Sequence, residues 1–123
     1  MRAQRIESLD GPDGLRLAEV PEPSGDGQVV IAVAAAGVSF PDVLMSRGLY
    51  QNKPPLPFVP GVEVAGTVRS APDGSGFAAG DRVMAVTMLG GFAEVAVAPA
   101  ALTCPLPERL SMEQGSGLIL NYH

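Results

Sequence analysis

Glycine or proline breaks this chain at short intervals, and no other feature limits its fold as much. The 15 glycines and 12 prolines among 123 residues separate brief runs rich in Val, Ile and Ala. Such runs suit a pleated, half-buried surface and the breakers between them supply turns, so the sequence predicts a mainly β architecture with short helices. Arg2 to Ile6 reads as a first strand, Gly11-Pro12-Asp13-Gly14 as a turn, and Leu15 to Val20 as the return strand of an opening hairpin. Pro21-Glu22-Pro23-Ser24-Gly25-Asp26-Gly27 cannot supply a regular hydrogen-bond ladder and is a loop. Gln28 to Ala36 shows little alternation of apolar and polar residues, a pattern expected of a strand buried on both faces at the centre of a sheet. Val62 to Arg69, Arg82 to Thr87 and Phe92 to Ala98 complete the strands, with turns at Pro72 to Gly76 and Leu89 to Gly91.

Two segments read as helical. In Ser39 to Gly48, Ser39 can cap the orphan amides of a first turn, Pro41 suits that turn and Gly48 suits the end. Asn52 to Pro60, rich in proline, is an extended loop crossing the surface. Ser111-Met112-Glu113-Gln114 opens a second helix, with Ser111 as cap and Gln114 in the capping-box position, running on towards His123. The apolar face of that helix, Leu118, Ile119 and Tyr122, has little left to pack on. The chain is therefore expected to be part of a longer one, with residues 1–110 as one domain and residues 111–123 leading into another.

A chain of this length matches one ordinary domain, able to bury roughly two thirds of its unfolded surface in a single core. Its 46% apolar and 17% charged residues place it among folded globular proteins. Thirteen acidic against eight scattered basic residues leave a net charge of −5, which offers no footprint for nucleic acid or anionic lipid. A single cysteine, Cys104, excludes an intrachain disulfide and a cysteine-rich zinc knuckle, and fits a reducing compartment. Met1-Arg2-Ala3-Gln4-Arg5-Ile6-Glu7 lacks the apolar core of a signal peptide, and the longest apolar run, Val29 to Val38, falls short of the roughly 20 residues of a membrane span. A cytoplasmic location is expected.

The chemistry is carried by blocks in a fixed order. Gly61-Val62-Glu63-Val64-Ala65-Gly66 alone is a common kind of apolar strand. It stands, however, after Ala36-Gly37-Val38-Ser39-Phe40-Pro41-Asp42-Val43-Leu44-Met45-Ser46-Arg47-Gly48-Leu49-Tyr50. It stands before Gly80-Asp81-Arg82-Val83, Gly90-Gly91-Phe92-Ala93-Glu94-Val95 and a closing passage from Leu106-Pro107 through Ser111 to Asn121-Tyr122. In that order and spacing, over essentially all of its length, the chain resembles the zinc-free quinone oxidoreductase (zeta-crystallin-like) branch of the medium-chain dehydrogenase/reductase superfamily. The resemblance implies a GroES-like, partly open β-barrel, the N-terminal catalytic domain only, with the nucleotide-binding domain beyond residue 123. It further implies that a full-length, homo-oligomeric parent transfers hydride from NADPH to a quinone or enone without zinc. The coenzyme would be held mainly by the domain this chain lacks, and the isolated chain would be inactive.

In the zinc-dependent branch the six-residue block reads Gly-His-Glu-x-x-Gly, its His being a zinc ligand; Val62 stands there, and Ser39 stands where that branch carries a Cys. An isopropyl group has no lone pair and a lone hydroxyl cannot complete the ligand set, so no metal is expected. Glu63 reads as a carboxylate fixed by an Arg or by backbone amides inside the barrel. The resemblance assigns Ser39 to catalysis and to the coenzyme, beside its capping role, and assigns Phe40 and Asn121 to the coenzyme as well. Tyr50 would line the substrate cleft and donate a hydrogen bond to a quinone oxygen gaining charge. Leu44 replaces a second family tyrosine, which suggests a more apolar cleft. Plainer roles exist for three of these: a helix cap for Ser39, a half-buried loop-end tyrosine for Tyr50, a helix-end polar residue for Asn121.

Asp42 reads as supporting the first turn of its helix, and Asp81 with Arg82 as a turn and an ion pair. Gly115-Ser116-Gly117 begins like a dinucleotide fingerprint, but Leu120 stands where the third glycine belongs and no strand precedes it. Two rival readings are a GroES-like binding module without turnover and a zinc-containing alcohol dehydrogenase domain with relocated ligands.

Overall fold

A computed structural model describes residues 1–38, 42, 46–48, 55–87 and 89–118. Seven strands are found among them: β1 (Arg2–Ile6), β2 (Leu15–Glu19), β3 (Val29–Gly37), β4 (Glu63–Ser70), β5 (Arg82–Val86), β6 (Val95–Ala98) and β7 (Thr103–Pro105). One short helix, α1 (Met112–Ser116), follows, and single 3-10 turns occupy Gly11–Gly14 and Ala100–Leu102. β1 and β2 form an antiparallel hairpin. The other five make an antiparallel sheet in the order β6-β3-β4-β5-β7.

The strand boundaries agree with the sequence reading to within a residue or so, except at β6, which begins at Val95 rather than Phe92. The reason is a competing partner. Gln4 donates its backbone amide to Phe92 O at 2.8 Å and Glu94 donates its own to Arg2 O at 3.2 Å, so this segment turns to β1. With the bridges Ala3 to Ala93 and Ile6 to Phe58, the hairpin is stitched to the sheet and the two together form the partly open barrel. β3 is interior but not central; β4 is the middle strand, buried continuously from Glu63 to Gly66. β3 buries Val29 and Ile31 fully, while Val30 and Ala32 are half-buried and its far half is more open, because its ladder with β6 runs only from Val29 to Ala32. β7, unanticipated, lies between prolines; Pro105 fits there because β7 is an edge strand and needs no outward amide.

Two apolar clusters fill the interior. Val29, Ile31, Val64, Val68, Val83, Ala85 and Ala98 form the larger, between the strands of the main sheet. Ile6, Phe58 and Val62 form the smaller, beneath the hairpin, with Leu15 and Leu89 against it. The predominance of β-branched valine and isoleucine in the larger cluster suits a pleated, buried surface.

α1 begins as the sequence predicts. Ser111 Oγ accepts the Gln114 amide at 3.1 Å, and Gln114 Oε1 accepts the Ser111 amide at 2.8 Å, a complete capping box. The helix ends at Ser116, short of the expected continuation, and the residues from 119 onward lie outside the described ones. α1 packs across β3, β4 and β5, where Gly115 and Ser116 are buried. Gly115 to Gly117 is therefore helix and helix end, not a strand-to-helix nucleotide turn.

The turn at Gly80–Asp81 is present, but the Asp81–Arg82 ion pair is not. Neighbouring residues entering a strand point to opposite faces. Asp81 Oδ2 accepts the Ala78 amide at 2.9 Å, whereas Arg82 donates to Pro107 O at 3.1 Å and Leu110 O at 2.6 Å, tying β5 to the segment that enters α1. Among the described residues no helix is long and apolar enough to cross a membrane.

The hairpin's attachment carries a pH signature. Glu94 Oε1 accepts the Arg2 amide at 2.5 Å, with the Arg2 guanidinium 3.6 Å from Oε2. The backbone hydrogen bond from Arg2 holds the Glu94 carboxyl below its ordinary range against a smaller upward push from desolvation, and the charge of Arg2 adds to the lowering. Because the folded value is the depressed one, this anchor is in place above the ordinary glutamate value of about 4.3 and is lost as pH falls through the lowered folded value. NMR titration of the Glu94 carboxyl should give a midpoint under that ordinary value, with Arg2 amide exchange accelerating as the group protonates. In Glu94→Gln that acceleration should disappear.

Candidate functional site

The site residues assigned from the sequence, Ser39, Phe40, Leu44, Tyr50 and Asn121, all lie outside the described residues. What the structure describes is the frame that flanks them in the chain. Val38, at the end of β3 and directly before Ser39, is 75% exposed. Asp42 and Ser46 are helical and buried, at 5% and 3% exposure.

The Asp42 carboxylate reaches a distant part of the chain. Its Oδ1 accepts the amide of Gly61 at 3.1 Å, across 19 residues of sequence. Gly61 has φ +107°, and a Cβ on it would lie 2.7 Å from the Phe92 ring and 2.7 Å from the Phe92 nitrogen. Only glycine can therefore present its amide here. The carbonyl of Gly61 accepts from Thr87 Oγ1 at 2.8 Å and from the Gly91 amide at 3.0 Å. Pro60 O accepts from Phe92 N at 3.0 Å and Val62 O from Thr87 N at 2.9 Å. The turn into β4 is thus tied to β5, to the Gly91–Phe92 segment and to Asp42. Thr87 gave no sequence signal, since a threonine closing a strand is unremarkable until the fold brings it to Gly61.

Val62, at the position of the metal-binding His in the zinc-dependent pattern, is 8% exposed and packs with Ile6 and Phe58. Its surroundings are hydrocarbon. Glu63, the next residue, is fully buried at the start of β4, in register with Gly37 of β3. A Cβ on Gly37 would come within 2.5 Å of Glu63 Oε1 and 2.5 Å of Ser116 O. The absent side chain leaves the space in which the carboxylate and the end of α1 meet. Among the described residues no group of three or more His, Cys, Asp or Glu is placed to hold a metal ion. Cys104, half-buried in β7, stands opposite Met84 of β5.

Residues 25–108 match the family model described as the alcohol dehydrogenase GroES-like domain, and the chain belongs to that family. It is similar to the quinone oxidoreductase of Rattus norvegicus, with 42% identity over 99% of this chain and 38% of the relative. It is also similar to a synaptic vesicle membrane protein VAT-1 homolog of Rattus norvegicus, with 37% identity over 99% of this chain and 31% of the relative. Among solved structures, the quinone oxidoreductase of Thermus thermophilus, determined also in complex with NADPH, superposes with a TM-score of 0.78 at 38% identity, covering 94% of this chain and 36% of that one. The chain spans 31% to 38% of the length of these proteins.

Crowding at Gly37 gives a direct test of this frame. Gly37→Ala should force Glu63 or the Ser116 carbonyl aside and lower stability by about 1–3 kcal/mol, the usual cost of an overpacked core site. Urea unfolding measures it, and faster amide exchange in α1 should accompany the loss. An unchanged midpoint would mean the three segments are not in contact.

Proposed function

We propose that this chain is the substrate-side domain of an NADPH-dependent oxidoreductase that delivers hydride to quinones or enones without zinc. The observation that carries the reading is Val62. A family member with hydrocarbon at the metal-ligand position, packed against Ile6 and Phe58, has no soft donor there to polarise a carbonyl. Similarity to quinone oxidoreductases, one of them solved with NADPH, supports the choice of reaction and coenzyme. In this reading residues 1–110 form the substrate domain and residues 111–123 lead into a nucleotide-binding domain of a homo-oligomeric, cytoplasmic parent.

When bound, the nicotinamide supplies the hydride; this chain positions and polarises its acceptor. Ser39, Phe40 and Asn121 contact the coenzyme. Tyr50 and Ser39 donate hydrogen bonds to the acceptor oxygen as it gains negative charge, and Leu44 makes the cleft favour apolar substituents. The test is reduced-coenzyme oxidation by the natural protein with quinones and with enones. Turnover that survives metal chelation is expected, and Tyr50→Phe should lower kcat/KM roughly tenfold to a hundredfold, the size of one charge-assisted hydrogen bond. A protein that binds NADPH yet reduces neither substrate class would reject the reading.

Comparable similarity to a VAT-1 homolog favours a second reading, a GroES-like binding module without turnover. Tight capture of a quinone in the absence of NADPH, with no oxidation when coenzyme is added, would select it.

A further inference from the structure

We infer that the apolar recess opening at Val38 receives a short alkyl substituent of the quinone or enone, with Val38, Leu15 and Phe92 as the residues that set substrate size. The inference rests on the reductase reading and narrows its substrate class to alkyl-substituted acceptors.

The recess has a volume of about 110 Å³. Ile6, Leu15, Val38, Pro60 and Phe92 give it hydrocarbon walls, and Asp42 and Ser46 complete it. Burial locates the mouth. Ile6 and Pro60 are fully buried, Asp42 and Ser46 nearly so, Leu15 and Phe92 half-buried, and Val38 is 75% exposed, so the recess meets the surface at Val38. Consecutive α-carbons are about 3.8 Å apart. The mouth therefore stands beside the backbone of Ser39, to which the proposed function gives a hydrogen bond to the acceptor oxygen. A substituent on the carbon next to that carbonyl comes close to the opening. The space is not a sign of loose packing, because protein interiors leave few voids larger than a water molecule and a Cβ on Gly61 would lie 2.7 Å from the same Phe92 ring that borders the recess. Walls that are mostly hydrocarbon give water few partners and favour an apolar occupant. An apolar cavity of about 150 Å³ takes a benzene molecule, so 110 Å³ suits a branched alkyl group and not a second ring.

The probes are para-benzoquinone and its tert-butyl and phenyl derivatives, with kcat/KM measured on the natural protein and on two variants of it. Substituents also change the quinone's own reactivity, so each ratio between substrates is compared in variant and unaltered protein. A methylene group gained or lost in an apolar pocket discriminates by roughly tenfold or more. Val38→Phe, which sets a ring across the mouth, should lower the ratio of tert-butyl derivative to parent about tenfold. Leu15→Ala, which removes a wall, should raise the ratio of phenyl to tert-butyl derivative about tenfold. Either ratio left unchanged in a folded variant, in a protein that reduces quinones, overturns the inference and leaves the reductase reading standing. So does a Val38→Phe effect confined to the KM for NADPH, because the mouth would then belong to the coenzyme. Leu15 packs against the cluster of Ile6, Phe58 and Val62; if Leu15→Ala does not fold, Val38→Phe decides, since its side chain is at the surface. An unaltered protein inactive toward every quinone and enone overturns the reductase reading and this inference together.

Discussion

The peptide at Gly61 is the point on which the barrel hangs. Its oxygen takes bonds from Thr87 and Gly91 and its nitrogen gives one to Asp42, so a single residue joins the entry to β4, the exit from β5, the approach to β6 and the buried helical segment at Asp42. The conformation that permits this, φ +107° with Phe92 pressed against the α-carbon, is open only to glycine. Each bond alone is worth about 1 kcal/mol net. Breaking one inside the protein costs more, because the partner left behind has no water to turn to.

From that turn the buried surface spreads two ways. Val62 enters the smaller cluster with Ile6 and Phe58, and Val64 enters the larger one with Ile31 and Val83. Glu63 lies between them, and the missing side chain of Gly37 allows α1 to close over it. The hairpin has a different attachment. Phe92 to Glu94 bonds to β1 through backbone groups and the Glu94 carboxylate, which is why the β6 strand is short.

The family relation and this geometry bear on the chemistry together. In the GroES-like frame, the position that could have offered an imidazole offers an isopropyl group to an apolar cluster instead. In the function proposed above, developing charge is met by hydroxyl and amide donors held in place, which shifts the burden from ligand chemistry to positioning.

The local features were legible in the residue order. Breaker spacing located β1 to β5, Ser111 and Gln114 announced their capping box, and the ordered glycine blocks pointed to the family and to an apolar residue at position 62. These depend on short windows of sequence, where steric preference and side-chain reach act within a few residues. Pairings between distant segments were not legible. Pattern alone placed the centre of the sheet at β3, whereas the middle strand is β4; it missed β7, whose three residues carry too little periodicity; and it paired Asp81 with Arg82, whose guanidinium instead reaches Pro107 and Leu110. The bond from Gly61 to Asp42 had no sequence signal. The sequence by itself determined which elements form and what chemistry position 62 cannot perform; the tertiary structure decided which buried polar groups meet, because a hydrogen bond across 19 or more residues depends on the packing of everything between.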